Sequence, residues 1–215
     1  MEAPESSPTD PTAAQQGPLS GGRTMAWGVA IVLVAAGLIG GKPHDTVDPA
    51  HAGGTVPLVH PAGRHLPRSR PTRLLIPKID VDAPFTELSL NASGQLQPPP
   101  AADVNLVGWY VKGVTPGESG TAIIAGHVDT KTSAAVFVGL DELSAGDRFT
   151  VQREDGKDAV FVVDSAETFD KDDFPDHRVY ADTPRAEARL ITCAGDYDRA
   201  AADYTENLVV FAHLL

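Results

Sequence analysis

Residues 121–127 read Thr121-Ala122-Ile123-Ile124-Ala125-Gly126-His127, an apolar run that ends on a histidine. A second run, Arg189-Leu190-Ile191-Thr192-Cys193, ends on the single cysteine of the chain. Short runs that are β-branched and apolar throughout are typical of strands buried on both faces. The two runs therefore predict two buried strands, each followed by a chemically active side chain.

The sequence from Thr72 onward contains further short apolar runs, separated by turn signals such as Gly146-Asp147 and Glu154-Asp155-Gly156-Lys157. The predicted strands lie at residues 74–77, 79–82, 105–110, 121–125, 148–151, 159–163, 189–192 and 208–212. Residues 137–143 predict one short helix. Seven or eight strands with so little helix indicate a mostly-β fold, in which the strands form a closed or nearly closed β-barrel.

The N-terminal part has a different composition. Residues 1–24 are rich in Pro, Ser, Thr, Gln and Gly, and we expect a disordered cytoplasmic tail. Residues 25–41 are uncharged and mostly apolar, and as a helix they would rise about 25 Å, the lower limit for crossing a bilayer core. With Trp27 as an interfacial anchor, they predict a transmembrane signal anchor. Two alternatives remain open: a buried helix of a soluble domain, and a signal peptide cleaved near Ala50-His51-Ala52.

Residues 42–71 are rich in Pro and His and predict an extended extracellular linker between the membrane and the domain at 72–215. The linker holds four of the seven histidines, namely His44, His51, His60 and His65. A His-rich tract can bind a metal ion. Since these spacings fit no compact ligand set and no cysteine joins them, we expect a solvated linker and no metal site.

The charge of the folded part limits its partners. Residues 71–215 carry 12 Lys and Arg against 24 Asp and Glu, a net charge of −12. Such an acidic domain is a poor match for a phosphate backbone, so we expect no nucleic-acid partner.

Cys193 and His127 are the candidates for catalysis. A single cysteine cannot form an internal disulfide, and a lone cysteine with a distant histidine is typical of a thiolate nucleophile. Neighbouring strand ends on one rim of a barrel would bring the two side chains together, and His127 would then serve as general acid and base. The alternative is that Cys193 has no catalytic role and is a small buried residue of the core. A redox role has less support, because no second cysteine could resolve a disulfide.

Two motifs carry a resemblance to a known family. The stretch from Gly120 to Asp129 resembles the histidine motif of sortases, and Leu190-Ile191-Thr192-Cys193 resembles their Leu-x-Thr-Cys motif. The Gly-His-Val-Asp and Thr-Cys-Ala-Gly-Asp-Tyr-Asp forms look most like the actinobacterial class F branch. The segments that also match in order are Val136-Phe137 with Leu140 and Leu143, Gly146-Asp147, Phe174-Pro175, Val179-Tyr180 and the closing strand at 203–212.

The resemblance covers roughly residues 72–215 and implies a cysteine transpeptidase on an eight-stranded sortase barrel. Such enzymes cut a C-terminal sorting signal of Leu-Pro-x-Thr-Gly type between Thr and Gly. They hold the acyl group as a thioester and pass it to an amine of a peptidoglycan precursor, without a metal or organic cofactor. The implied location is the cell membrane, with a single pass and the catalytic domain on the extracellular face.

Carried over to this chain, the resemblance makes Cys193 the nucleophile and His127 the proton donor and acceptor. Many sortases have a catalytic arginine around the positions of residues 205–207, but this sequence has Thr-Glu-Asn there. We therefore expect Arg199, in the loop after the cysteine, to stabilise the oxyanion. The alternatives are backbone N–H groups, or Arg178 or Arg185 from the preceding loop.

Two polar residues complete the predicted site. Thr192 is expected to support the thiolate by hydrogen bonding, although β propensity alone would also explain a threonine there. Asp129 is expected to hydrogen-bond near the substrate, and a turn cap is the alternative.

Two other functions remain open at this point. One is a mainly hydrolytic, sortase-like cysteine peptidase, in which water accepts the acyl group. The other is a non-catalytic barrel that binds a surface peptide or polymer, for which Cys193→Ala would leave function intact.

Overall fold

The structure is a computed structural model that describes residues 64–215, together with the backbone of the two-residue strand Ile31–Val32. Apart from those two residues, the predicted tail at 1–24 and anchor at 25–41 lie outside the described part, as does the linker up to residue 63. Within residues 64–215, no helix has the length and apolarity that crossing a bilayer requires.

The described part is built mainly from strands. They are β1 (Ile31–Val32), β2 (Pro71–Ile76), β3 (Val81–Leu88), β4 (Gln95–Leu96), β5 (Val107–Tyr110), β6 (Gly120–Gly126), β7 (Arg148–Arg153), β8 (Asp158–Asp170), β9 (Ala186–Asp198) and β10 (Asp203–Leu214). The helical elements are three 3₁₀ helices, Pro77–Ile79, Leu140–Glu142 and Lys171–Asp173, and one short α-helix, α1 (Asp176–Tyr180).

Eight of these strands close into a barrel in the order β10-β8-β7-β2-β3-β5-β6-β9. The pairs β3–β5 and β6–β9 are parallel, and the other pairs are antiparallel. The remaining strands, β1 and β4, form a separate antiparallel ladder. The prediction of a mostly-β, eight-stranded closed barrel is confirmed.

Two local predictions were wrong. The predicted helix at 137–143 is a turn followed by the 3₁₀ helix Leu140–Glu142, held by successive i→i+3 hydrogen bonds from Leu140 to Phe137 and from Leu143 to Leu140. Gly139, with φ −100° and ψ 16°, departs from regular α-helical geometry, so only the short 3₁₀ helix forms within the predicted segment. The predicted strand at 79–82 begins only at Val81, because Asp80 has a left-handed φ of 53° after the 3₁₀ helix Pro77–Ile79.

The barrel interior holds the main hydrophobic core. Alternate residues of the strands point inward, and among them Ile124, Leu190 and Val210 are fully buried. Phe149 and Phe161 stack inside the barrel with ring centroids 5.1 Å apart. This core fixes the register of the strands that carry the candidate site.

The outer face of β6, β9 and β10 is also buried. Its side chains are those that alternate with the inward ones, among them Ala125, Ile191 and Val209, and residues from the connecting segments, including Leu96 and Val179, cover them. A strand buried on both faces has no polar face, which explains why residues 121–125 and 189–192 are apolar throughout. By the same alternation, Cys193 belongs to this outer face.

The end of the predicted linker lies against the barrel. Leu66 packs on the main core, and its backbone N–H donates to the carbonyl oxygen of Gly117 at 2.7 Å. Arg68 forms an ion pair with Glu118 at 3.2 Å. The chain is therefore attached to the domain several residues before the first barrel strand.

Candidate active site

His127, directly after β6, and Cys193, within β9, lie at neighbouring positions of this parallel strand pair. The last paired residues are Ala125 and Ile191, so the same register two residues further places His127 beside Cys193. Both side chains line one cavity of about 430 Å³. The two residues line one cavity as expected, but only His127 lies at a strand end; the prediction that a strand ends just before Cys193 was wrong, because β9 continues to Asp198 through its pairing with β10.

The cavity is lined from four parts of the chain. Its residues are Ala101, Ala102, His127, Val128, Asp129, Thr130, Lys131, Thr132, Cys193, Tyr197, Ala202, Asp203 and Tyr204. Within residues 64–215, no group of three or more His, Cys, Asp or Glu side chains is arranged to hold a metal ion.

The Cys193 thiol is buried and surrounded by mixed charges. Its residue is 8% exposed, and burial raises the pKa of the thiol to about 11. Lys171 opposes this shift, whereas Asp203 and Asp129 add to it. The thiol is therefore protonated at neutral pH in the resting protein, and its reaction requires a proton acceptor and a nearby cation.

Lys171 is that nearby cation. Its Nζ lies 3.9 Å from Cys193 Sγ and 2.7 Å from Asp203 Oδ1. The lysine side chain is 11% exposed. The ammonium group thus lies between the thiol and a carboxylate and is largely shielded from solvent.

His127 is half-buried and hydrogen-bonded to a proline-rich segment. Its Nε2 lies 2.8 Å from the carbonyl oxygen of Pro99. Because a carbonyl oxygen only accepts hydrogen bonds, Nε2 carries a hydrogen in this arrangement. The run from Pro98 to Pro100, followed by Ala101 and Ala102 in the cavity wall, therefore borders the histidine.

Asp129 faces the cavity and is held by a tyrosine. The hydroxyl of Tyr204 donates to Asp129 Oδ2 at 2.5 Å, and this hydrogen bond raises the pKa of Tyr204 to about 12. The ring of Tyr197 packs edge-on against Tyr204, with centroids 5.3 Å apart. Asp129 is therefore placed where the sequence predicted, with Tyr204 as a partner that the sequence did not indicate.

Thr192 has a different partner from the one expected. Its hydroxyl donates to the carbonyl oxygen of Gly126 at 2.9 Å, so the hydroxyl hydrogen is not available to the thiolate. This buried hydrogen bond joins β9 to β6 one residue before Cys193 and His127. Thr192 thus supports the site by holding the two strand ends together.

The predicted arginines lie elsewhere. Arg199 is exposed in the turn between β9 and β10, and it is not among the described residues that line the cavity. Arg178 forms two hydrogen bonds of 2.6 Å with Glu167, and Arg185 forms an ion pair with Glu187 at 3.2 Å. No predicted arginine therefore reaches Cys193 in the described part of the chain.

Two residues near the thiol were missed by sequence analysis. Lys171 belongs to the charged run Asp170-Lys171-Asp172-Asp173, which gave no sign of proximity to Cys193. Asn207 is the cross-strand partner of Cys193 and is 1% exposed, and its Oδ1 has no hydrogen-bond partner among the described residues. A polar residue at the start of the apolar run 208–212 was the available signal for Asn207.

A closed barrel thus places a cysteine within β9 and a histidine directly after the neighbouring strand β6, in the wall of one cavity. The sortase domain family matches residues 74–215, and the chain belongs to this family. Sortases are cysteine transpeptidases. No curated protein sequence matches the chain.

Solved structures of sortases share the fold. A lid mutant of sortase A from Corynebacterium diphtheriae is 21% identical, with 70% of this chain and 72% of that chain covered and a TM-score of 0.52. Sortase C1 from Streptococcus agalactiae is 24% identical, with 67% and 66% covered and a TM-score of 0.52. Sortase C-1 from Actinomyces oris is 21% identical, with 66% and 70% covered and a TM-score of 0.52.

Proposed function

We propose that the chain is a membrane-anchored sortase that cleaves a C-terminal sorting signal of Leu-Pro-x-Thr-Gly type between Thr and Gly. It then transfers the cleaved protein to an amine of a cell-wall peptidoglycan precursor. The observation that carries the proposal is the placement of Cys193, within β9, and His127, directly after the parallel neighbour β6, in the wall of one cavity.

In the first half-reaction, His127 accepts the proton of the Cys193 thiol, and Sγ attacks the carbonyl carbon of the signal's threonine. The C–N bond to glycine breaks, and His127 gives a proton to the leaving amine. The products are a thioester between the threonine carbonyl and Sγ, and a free peptide that begins with glycine. The buried position of the thiol limits the access of water to this intermediate.

In the second half-reaction, the acceptor amine attacks the thioester carbon and gives its proton to His127. The C–S bond breaks, an amide bond forms, and His127 returns the proton to the Cys193 thiolate, so both groups regain their starting states. The reaction is an exchange of one amide bond for another, so it needs no oxidant or external energy source.

The sequence motifs support a class F assignment, and the N-terminal composition supports the location. Residues 25–41 suit a single-pass anchor, which would leave the catalytic domain on the extracellular face. Residues 42–65, which precede the attachment of Leu66 to the barrel, would span up to about 80 Å when extended, enough to hold the barrel away from the bilayer surface.

The test uses the full-length chain in mild detergent. It is incubated with a panel of fluorogenic Leu-Pro-x-Thr-Gly peptides, with and without a glycine or diaminopimelate amine, and the products are identified by mass spectrometry beside Cys193→Ala. Amine-ligated product that is lost in the variant supports the proposal. Free acid alone would indicate the hydrolytic peptidase. The absence of any thioester or cleavage across the panel would indicate the non-catalytic binding barrel.

A further inference from the structure

We propose that Lys171 is the catalytic cation of this site, and that its ammonium group stabilises first the Cys193 thiolate and then the oxyanion formed from the substrate carbonyl. The inference rests on the proposed function, because it assigns a role within the same thioester chemistry. It also replaces Arg199, the residue that the sequence suggested for this role.

The first argument is the contact itself. Lys171 Nζ lies 3.9 Å from the sulfur atom that reacts, within range of a charge-assisted N–H···S contact. The lysine side chain is 11% exposed, so little water lies between the two groups. A positive charge at this distance and burial interacts far more strongly with a thiolate than it would in bulk water.

The second argument is that the ammonium group is held in place. Asp203 Oδ1 binds Nζ at 2.7 Å and sets its position from the start of β10. An ammonium group has three N–H donors, so the bond to Asp203 leaves others for the sulfur and for a substrate oxygen. Asp203 therefore positions the charge and does not exhaust its hydrogen bonds.

The third argument is topological. Lys171 follows directly after β8, β8 pairs with β10, and β10 pairs with β9 through Asn207 and Cys193. Asp170 pairs with Glu206 in this ladder, and the next residue of β10, Asn207, pairs with Cys193. Lys171 therefore follows the end of β8 at the level of the thiol. The barrel thus delivers a cation to Cys193 from two strands away.

The competing cations are less suited to this role. Arg199 is exposed outside the cavity lining, and Arg178 is engaged with Glu167. Lys131 also lines the cavity, but the ammonium group with a direct contact to the sulfur is that of Lys171, at 3.9 Å. Lys171 is therefore the cation that the described contacts join to the nucleophile.

The chemistry of lysine suits this position. As sulfur attacks, negative charge moves from Sγ to the carbonyl oxygen of the substrate, which lies next to the sulfur in the tetrahedral intermediate. A lysine ammonium is a compact point charge on a flexible stem, so it can follow this charge without the planar geometry that a guanidinium requires. Losing one such stabilising group typically costs about 100-fold or more in rate.

The test measures the reactivity of Cys193 directly, without a peptide substrate. Rates of iodoacetamide alkylation are recorded against pH for the full-length chain and for Lys171→Met, Lys171→Gln and Lys171→Arg. Because the cation favours the thiolate, its removal raises the pKa of the thiol. Alkylation of the Met and Gln variants at pH 8 should fall about tenfold, whereas Arg should stay close to the parent protein.

A matched control removes another Lys–Asp ion pair. Lys78 binds Asp147 at 2.8 Å and belongs to the segment after β2, away from the cavity, so Lys78→Met should leave the alkylation profile unchanged. The other titratable groups facing the thiol are Asp203, Asp129, Tyr204 and His127. Asp203→Asn should move the profile toward lower pH if its charge acts directly on the thiol. Because unfolding would expose the thiol and move the profile in the same direction, thermal melting must show that this variant is folded.

Two results would overturn the inference. One is an alkylation profile of Lys171→Met and Lys171→Gln, checked for folding by thermal melting, that matches the parent protein. The other is a loss of thioester formation in Arg199→Met that Lys171→Met does not show. If the parent protein forms no thioester with any peptide while the alkylation shift is present, the proposed function fails and the assignment of Lys171 to the thiolate stands.

Discussion

The hydroxyl of Thr192 donates a hydrogen bond to the carbonyl oxygen of Gly126, at 2.9 Å, across the parallel pair β6–β9. The next residue on each strand is a member of the candidate site, His127 on one and Cys193 on the other. The bond is buried, and it fixes β9 relative to the end of β6 at the residues that precede Cys193 and His127.

Thr192→Val tests this role, since valine keeps the shape and removes the hydroxyl. We expect a loss of about 1–2 kcal/mol in the free energy of unfolding, because the Gly126 carbonyl loses a buried partner. We also expect a clear loss of turnover. Thermal melting and the peptide assay measure the two effects.

Thr121→Val is the matched control, because the Thr121 hydroxyl donates to the carbonyl oxygen of Ala181 at 2.8 Å at the other end of β6. It should cost similar stability and much less activity. Equal loss of activity in both variants would show that Thr192 acts only through stability.

Asp129 affects the thiol through its charge. Its carboxylate raises the pKa of the Cys193 thiol, after the larger effect of burial and with Asp203. Asp129→Asn removes that negative charge, so the pKa of the thiol falls and the alkylation profile moves toward lower pH. Asp158→Asn, at the far end of β8, should leave the profile in place. A shift toward higher pH in Asp129→Asn would contradict this electrostatic account.

Asn207 is a site of unfavourable burial. Its Oδ1 is buried without a hydrogen-bond partner among the described residues. Such burial lowers the free energy of unfolding, whereas an apolar side chain of similar size would not carry this penalty. Asn207→Leu should therefore melt at the same or a higher temperature, while acylation of Cys193 falls because a polar group beside the sulfur is lost.

The control for Asn207 is Asn105→Leu, because the Asn105 amide donates to the carbonyl oxygen of Asp82 at 3.0 Å. That variant should not gain stability. A lower melting temperature for Asn207→Leu than for Asn105→Leu would contradict the prediction that the buried Asn207 amide costs stability.

The Glu167–Arg178 pair predicts a dependence of stability on pH. The Arg178 hydrogen bonds, and then that of Ser165, lower the pKa of Glu167 in the folded state. A lowered folded-state pKa stabilises the protein above the ordinary glutamate pKa, and this contribution is lost as pH falls below about 4.

Arg178→Met should therefore cost at most about 1 kcal/mol at pH 7, since the arginine is half exposed, and the cost should shrink at pH 3. Denaturant unfolding at the two pH values measures the difference. A cost that is the same at both values would show that Arg178 stabilises the fold through its cation–π contact with the Phe211 ring, at 4.7 Å, and not through its ion pair with Glu167.

The barrel and the pair His127–Cys193 could be predicted from sequence because their signals are local. Each apolar run reports burial on both faces, and each is followed at once by the reactive side chain. The segment 137–143 holds a shorter helix than predicted, the 3₁₀ helix Leu140–Glu142, because the backbone at Gly139 departs from helical geometry.

Lys171 could not be predicted in the same way. Its proximity to Cys193 depends on the register of β8 against β10 and of β10 against β9, which no short stretch of sequence encodes. Arg199 was chosen because it follows Cys193 closely in the chain, but the turn between β9 and β10 directs it to solvent. The cation that contacts the thiol in the structure is Lys171, which is 22 residues away in sequence.

The most direct test of the account is intact-mass measurement of the full-length chain during reaction with a Leu-Pro-x-Thr-Gly peptide and a glycine amine. We expect a thioester adduct on Cys193 that converts to amine-ligated product. The adduct should be absent in Cys193→Ala, and it should form several orders of magnitude more slowly in His127→Ala, with both variants folded. Cleavage and ligation that continue unchanged in Cys193→Ala would contradict the central claim.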